Sequence, residues 1–102
     1  MTNKLYGYIG LAKKAGLLSA GTDSVITSVR AKKSRIVIVA EDASQATKKK
    51  ITDKCSFYGA EYKIFGTAEQ IGNAVGKGLT ACVSVNDDNF ASAVKKCFCS
   101  DK

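Results

Sequence analysis

Apolar residues recur along this chain with two alternating periods. Near the start, Leu5, Ile9 and Ala12 repeat at helical spacing, with Tyr8 and Leu11 widening the stripe. This predicts a first helix from about Asn3 to Ala15, stopped at Gly16, a residue that tolerates the left-handed turn ending many helices. A short strand over Leu17–Ala20 leads to Gly21. A second helix follows from about Thr22 to Lys32, with Val25, Ile26 and Val29 on its apolar side. Arg30, Lys32 and Lys33 cluster at its end, where cations complement the helix dipole.

Ile36 to Ala40 is apolar at every position, so neither face of this strand can be wet and it is expected at the centre of a sheet. A third helix from about Ser44 to Tyr58 places Ile51, Cys55 and Tyr58 on one face and ends at Gly59. Tyr62–Phe65 is a third strand. Thr67 and Gln70 form a capping-box pattern opening a short fourth helix, with Ala68, Ile71 and Val75 inward. Leu79–Val85 alternates, which predicts a strand less fully buried, and Phe90, Ala93, Val94 and Cys97 give a last amphipathic helix. Helices alternating with strands around a buried strand indicate an α/β chain folded as a three-layer α/β/α sandwich on a central four-stranded mixed sheet.

With 102 residues and 45% hydrophobic content the chain has material for one core, so residues 1–102 are expected to form a single domain. Its apolar N-terminal stretch is cut by Lys13 and Lys14, too early for a membrane span, and its charge order does not suit a signal peptide. A soluble, cytoplasmic, monomeric protein is expected, with no membrane partner. Charge sharpens the picture. Residues 1–50 hold ten Lys or Arg against Asp23, Glu41 and Asp42, which accounts for the whole net charge of +7. The second half is balanced, with six of each sign. A one-sided excess of this kind points to an anionic partner.

Catalytic chemistry has few carriers here. There is no His, which removes the commonest general base and any Ser-His or Cys-His nucleophile. Glu41 and Asp42 follow the central strand, where ligands of open α/β sheets bind. No second acidic cluster completes a metal site, however, and Asp42 or Ser44 is better read as the cap of the third helix. Gly72, Gly76 and Gly78 lack the Lys-Ser/Thr ending of a phosphate loop and are expected to end the fourth helix. Of the four Cys, Cys55 and Cys82 fall in apolar patterns, and Cys97-Phe98-Cys99 is too tightly spaced for the usual zinc motif. Neither a cofactor, a metal nor a small-molecule substrate is expected.

The basic groups are more informative. Gly21-Thr22-Asp23-Ser24 opens a helix whose free N–H groups and positive dipole end suit a phosphate or a base edge. Lys13 and Lys14 end the helix before it, Arg30 and Lys33 lie at its far end with Lys32 and Arg35, and Ser44 and Lys48 share a face of the third helix.

In this order and at these distances, several segments resemble the kink-turn RNA-binding ribosomal-protein superfamily (L-seven-Ae and L-thirty-e), most of all its small bacterial YlxQ-type members. They are Leu11-Ala12-Lys13-Lys14-Ala15-Gly16, Gly21 at a helix start, and Arg30 through Lys33 and Arg35 before an apolar strand. Ala40-Glu41-Asp42-Ala43-Ser44, Thr47-Lys48-Lys49, Asp53-Lys54-Cys55 and Ile71-Gly72 through Gly76-Lys77 complete the set. The resemblance covers nearly the whole chain. It implies a non-catalytic, ribosomal-protein-like binder of structured RNA, in which the start of the second helix enters a bent internal loop. Gly21, Thr22, Asp23, Ser24 and Thr27 would then lie against RNA, and Lys13, Lys14, Arg30, Lys33 and Lys48 would neutralise phosphates. Leu79, in the loop Lys77-Gly78-Leu79-Thr80, would cover an unstacked base. Kink-turn readers carry Gly-Thr-Asn-Glu at this helix start and a Lys three residues further on. Here Asp23, Ser24 and Thr27 occupy the last three of those positions. Two alternatives stand beside this reading: a small enzyme or substrate-recognition domain acting at Glu41/Asp42, and a protein-interaction module without RNA binding.

Overall fold

A computed structural model of the chain describes the backbone of residues 2–99 and the side chains of residues 4–98. The elements run α1 (Thr2–Lys14), β1 (Leu18–Ala20), α2 (Thr22–Arg30), β2 (Ile36–Val39), α3 (Gln45–Tyr58), β3 (Tyr62–Ile64), α4 (Ala68–Ala74), β4 (Cys82–Val85) and α5 (Asp88–Cys99). The four strands form one mixed sheet in the order β1-β4-β2-β3. β4 runs antiparallel to both β1 and β2, while β2 and β3 are parallel. The expected three-layer sandwich is therefore the observed one.

The alternation of β2 explains the layers. Ile36 and Ile38 join Leu5, Ile9, Ala12, Ile71, Ala91 and Val94 in a core beneath α1, α4 and α5. Val37 and Val39 point the other way, into a second core with Val25, Ile26, Val29, Ile51, Cys55 and Cys82 beneath α2 and α3. All four residues of β2 are fully buried, and at about 1.5–3 kcal/mol for each large side chain removed from water this strand anchors both cores.

β4 departs from expectation. The strand starts at Cys82 rather than Leu79, and all of Cys82, Val83, Ser84 and Val85 are buried. Val83 and Val85 face the core beneath α1, α4 and α5 and Cys82 faces the core beneath α2 and α3, so helices cover both faces and the alternation seen in sequence does not mark a wet side. Ser84 tolerates burial because its Oγ donates to Asn86 Oδ1 (2.7 Å) and lies 2.8 Å from Ser34 Oγ. Leu11 also departs: it is 55% exposed, because residues two apart on a helix do not share a face and Ile9 takes the inward one.

Local chemistry sets the helix ends. Ser44 caps α3, accepting from Thr47 N–H at 3.1 Å, and Gly59 closes that helix in the left-handed conformation. Thr67 and Gln70 form the reciprocal capping box of α4. Asp42 does not cap α3. Its Oδ1 accepts from Ala68 N–H (2.8 Å) and so satisfies the start of α4 instead. α2 ends at Arg30, two residues before the expected Lys32. There, Lys32 adopts φ 60, and the N–H groups of Lys32 and Lys33 bond back to the Val29 and Ser28 carbonyls. This is the helix-ending motif usually built on glycine, and a lysine in that place gives a sequence reader no stop signal.

Candidate functional site

The register of the sheet decides which candidate residues meet. Gly21 N–H donates to Cys82 O (2.9 Å), and Ala40 N–H donates to Ala81 O (2.7 Å). The start of α2, the exit of β2 and the loop preceding β4 thus share one end of the sheet. Gly21, Thr22, Asp23, Ser24 and Leu79 fall at this end, and Lys48 joins them one turn into α3. At the opposite end, Asn86 N–H donates to Leu17 O and Arg35 N–H to Val85 O. Lys13, Lys14, Arg30 and Lys33 lie there, the first two on the α1 layer and the others on the α2 layer. Rising about 1.5 Å per residue, α2 separates Thr22 from Arg30 by about 12 Å. The eleven residues therefore form a reading end and a basic end, with Thr27 between them, rather than one cluster.

Gly21 takes φ 94 and ψ 156, a backbone region open essentially to glycine alone. It serves as the N-cap without any side-chain hydrogen bond to the helix. The first-turn N–H groups consequently face outward with no capping oxygen, the arrangement that receives anions and acceptor edges. Thr22 is half-buried, with its side chain beside the Cys82 thiol. Asp23 and Ser24 are exposed. Thr27 Oγ1 bonds back to Asp23 O at 3.0 Å, so its proton is committed to its own helix.

Beside this turn lies an open depression of about 300 Å³ lined by Ser19, Asp23, Ser24, Thr27 and Ser28. Its floor is a hydroxyl and amide network. Ser19 and Ser28 Oγ atoms lie 2.7 Å apart, and Asn86 Nδ2 donates to both, at 3.0 and 3.3 Å. Sequence inspection missed Ser19, Ser28 and Asn86. Only the pairing of Ser19 with Ser84 across β1 and β4 brings them together.

Leu79 is 81% exposed at the tip of its loop, yet the loop itself is fixed. Lys77 N–H donates to Gly72 O (2.8 Å), Thr80 N–H to Ala68 O (3.1 Å), and the Thr80 hydroxyl to Gly78 O (3.0 Å). Gly72 does not end α4, as its sequence suggested. It lies within the helix, where a Cβ would overlap the Gly78 carbonyl oxygen, so its bare backbone lets the loop seat on α4. Gly76, at φ 73, makes the turn that follows.

Ion pairing divides the cations. Arg35 is held by Asp88 (2.9 Å), Lys49 by Asp53 (3.3 Å) and Lys95 by Glu61 (3.0 Å). Among the described residues no carboxylate lies within salt-bridge distance of Lys13, Lys14, Arg30, Lys33 or Lys48. Burial pushes the Cys55 and Cys82 thiols up to about 11, so neither carries a thiolate at neutral pH. The described residues contain no group of three or more potential metal ligands and no helix long and apolar enough to cross a membrane. The Cys99 thiol of the Cys97-Phe98-Cys99 run lies outside the described side chains.

Residues 3–96 match the model of the ribosomal protein L7Ae/L30e/S12e/Gadd45 family. RNA-binding protein YlxQ of Bacillus subtilis (strain 168) is 38% identical over 84 residues, covering 82% of this chain and 84% of the relative. RNA-binding protein YlxQ of Enterococcus faecium is 39% identical over 94 residues, covering 91% and 89%. Among solved structures, a protein of unknown function from Bacillus halodurans C superposes with a TM-score of 0.85 at 32% identity, covering 91% of this chain and 94% of that one. The Giardia lamblia 15.5kD RNA binding protein shares the fold, with a TM-score of 0.79 at 19% identity over 93% and 82% of the two chains. By its sequence and its fold, this chain belongs to the ribosomal protein L7Ae/L30e/S12e/Gadd45 family.

Proposed function

We propose that this protein is a non-catalytic binder of structured RNA, a single RNA-binding domain of ribosomal-protein type over residues 1–102 that acts as a cytoplasmic monomer. The observation that carries the proposal is the uncapped start of α2, opened by Gly21 and flanked by the exposed Leu79 loop. Relatives at 38–39% identity bear the name RNA-binding protein. Gly21, Thr22, Asp23 and Ser24 present backbone donors to the RNA, Asp23 and Ser24 add short exposed polar side chains, and Thr27 lies one turn further in. Leu79 packs on an unstacked base. Lys48 holds the backbone at the reading end, while Arg30, Lys33, Lys13 and Lys14 hold it at the basic end. Folded RNA is recognised through shape, splayed bases and backbone rather than through a duplex groove, which suits a helix end with cations unpaired among the described residues around it.

A kinked internal loop is the proposed target, since a helix terminus reaches base edges only where the RNA bends open. Fluorescence anisotropy with a kink-turn RNA and a straight duplex of equal length tests this. Tighter binding to the kinked RNA is expected. With about four phosphates neutralised, log K falls against log[salt] with a slope of about −3. A salt-independent affinity contradicts the electrostatic part, and equal binding to the straight duplex contradicts the kinked target.

A further inference from the structure

Phe57 is 80% exposed on the outer side of α3, an unusual place for an aromatic ring on a soluble domain. It is not loose. The half-buried Tyr58 packs against the α2/α3 core and meets the Phe57 ring edge-on, with centroids 4.9 Å apart and planes at 84°. Lys50, Lys54 and Phe57 follow one another at i, i+4 and i+7 and so share one stripe of the helix. Together with Asp53 and Tyr58 they line a depression of about 450 Å³, within the size range of small-ligand sites. Lys49 neutralises the Asp53 carboxylate, whereas Lys50 and Lys54 have no carboxylate within salt-bridge distance among the described residues. An exposed ring flanked by two unpaired cations has the composition of a single-strand stacking platform, where the ring takes a base and the cations take its phosphates.

Position strengthens the assignment. α2 and α3 both start at the reading end of the sheet and both finish at the end where Val37 N–H meets Glu61 O. Phe57 and Lys54 therefore lie at the same end and in the same layer as Arg30, Lys32 and Lys33. An RNA strand leaving the α2 site along the basic end runs toward Phe57. A second copy of the chain is a poorer occupant, because each copy would bring Lys50 and Lys54 against their equivalents.

We propose that the Lys50–Lys54–Phe57 stripe of α3 is a second nucleic-acid contact, which stacks an unpaired base of single-stranded RNA flanking the folded element. The proposal rests on the RNA-binding reading above. Two RNAs test it, a blunt kinked stem and the same stem with a single-stranded oligoadenylate tail. The tail is expected to tighten binding of the natural protein. Phe57→Ala should lose about 5–150-fold on the tailed RNA and nothing on the blunt one. Phe57→Tyr should keep the gain, and Lys50→Gln/Lys54→Gln should reduce it. Tailed and blunt RNAs binding equally to the natural protein overturns the proposal while leaving the α2 site standing. If no stem binds at low salt, the RNA reading itself has failed. Fluorescence of Phe57→Trp titrated with oligoadenylate alone then decides the platform, quenching upholding it and no quenching rejecting it. A change in sedimentation of the free protein on Phe57→Ala identifies the surface as a self-association contact and rejects it as well.

Discussion

Asp23 carries a conflict of charge at the start of α2. Its carboxylate complements the positive end of the helix dipole, a contribution of about 0.3–1 kcal/mol to the helix. The same carboxylate opposes any anion brought to the free amides of that turn. Asn in its place would both donate and accept, whereas ionised Asp only accepts. Two unit charges about 4 Å apart in water interact by about 1 kcal/mol. Asp23→Asn should therefore tighten RNA binding about fivefold in anisotropy titrations while lowering thermal stability slightly. Unchanged or weaker binding would place the RNA away from this turn. The role of Gly21 as a helix opener was legible from its position before Thr22. The Ser19, Ser28 and Asn86 network under the depression along α2 was not, since polar side chains up to 67 residues apart become neighbours only through the sheet register.

At the scale of elements, the loop before β4 depends on a helix it does not belong to. The Gly72 backbone in α4 accepts from Lys77 N–H and leaves room for the Gly78 carbonyl. Gly72→Ala must push that carbonyl away, and overpacking of this kind costs about 1–3 kcal/mol. Chemical denaturation should show that loss, and RNA affinity should fall with it as Leu79 moves. Leu79→Ala, at an exposed tip, should weaken binding with stability unchanged. Equal stability losses for both would mean that Leu79 serves the fold. β2 was readable because five consecutive apolar residues allow only a doubly covered strand. β4 was misread because Leu79 and Ala81 extend its alternation into what is a loop. The burial of Ser84 requires partners at Ser34 and Asn86 that no local pattern announces. The early end of α2 was hidden for a similar reason, as Lys32 performs a turn that glycine usually marks.

Across the whole molecule, the charge asymmetry of the sequence becomes a spatial one. The unpaired cations of the first half lie mainly along α2 and α3, between an uncapped helix start at one end and the Arg30–Lys33 turn at the other. The acids beside them are partly committed elsewhere, Asp42 to α4 and Asp53 to Lys49. Glu41 and Asp42, the one place where catalysis was conceivable from sequence, sit in the connection from β2 to α3 and tie it to the turn before α4. Glu41 N–H donates to Gly66 O, and Asp42 receives Ala68 N–H. The central claim is that the start of α2 and the Leu79 loop together receive a folded RNA. Titrating the isotope-labelled protein with a blunt kink-turn RNA and following its backbone amide signals tests that claim most directly. Shifts should concentrate at Gly21, Thr22, Asp23 and Ser24 and at Lys77 to Thr80, with β3 and α5 unmoved. Shifts confined to β3 and α5, or no shifts at low salt, would contradict it.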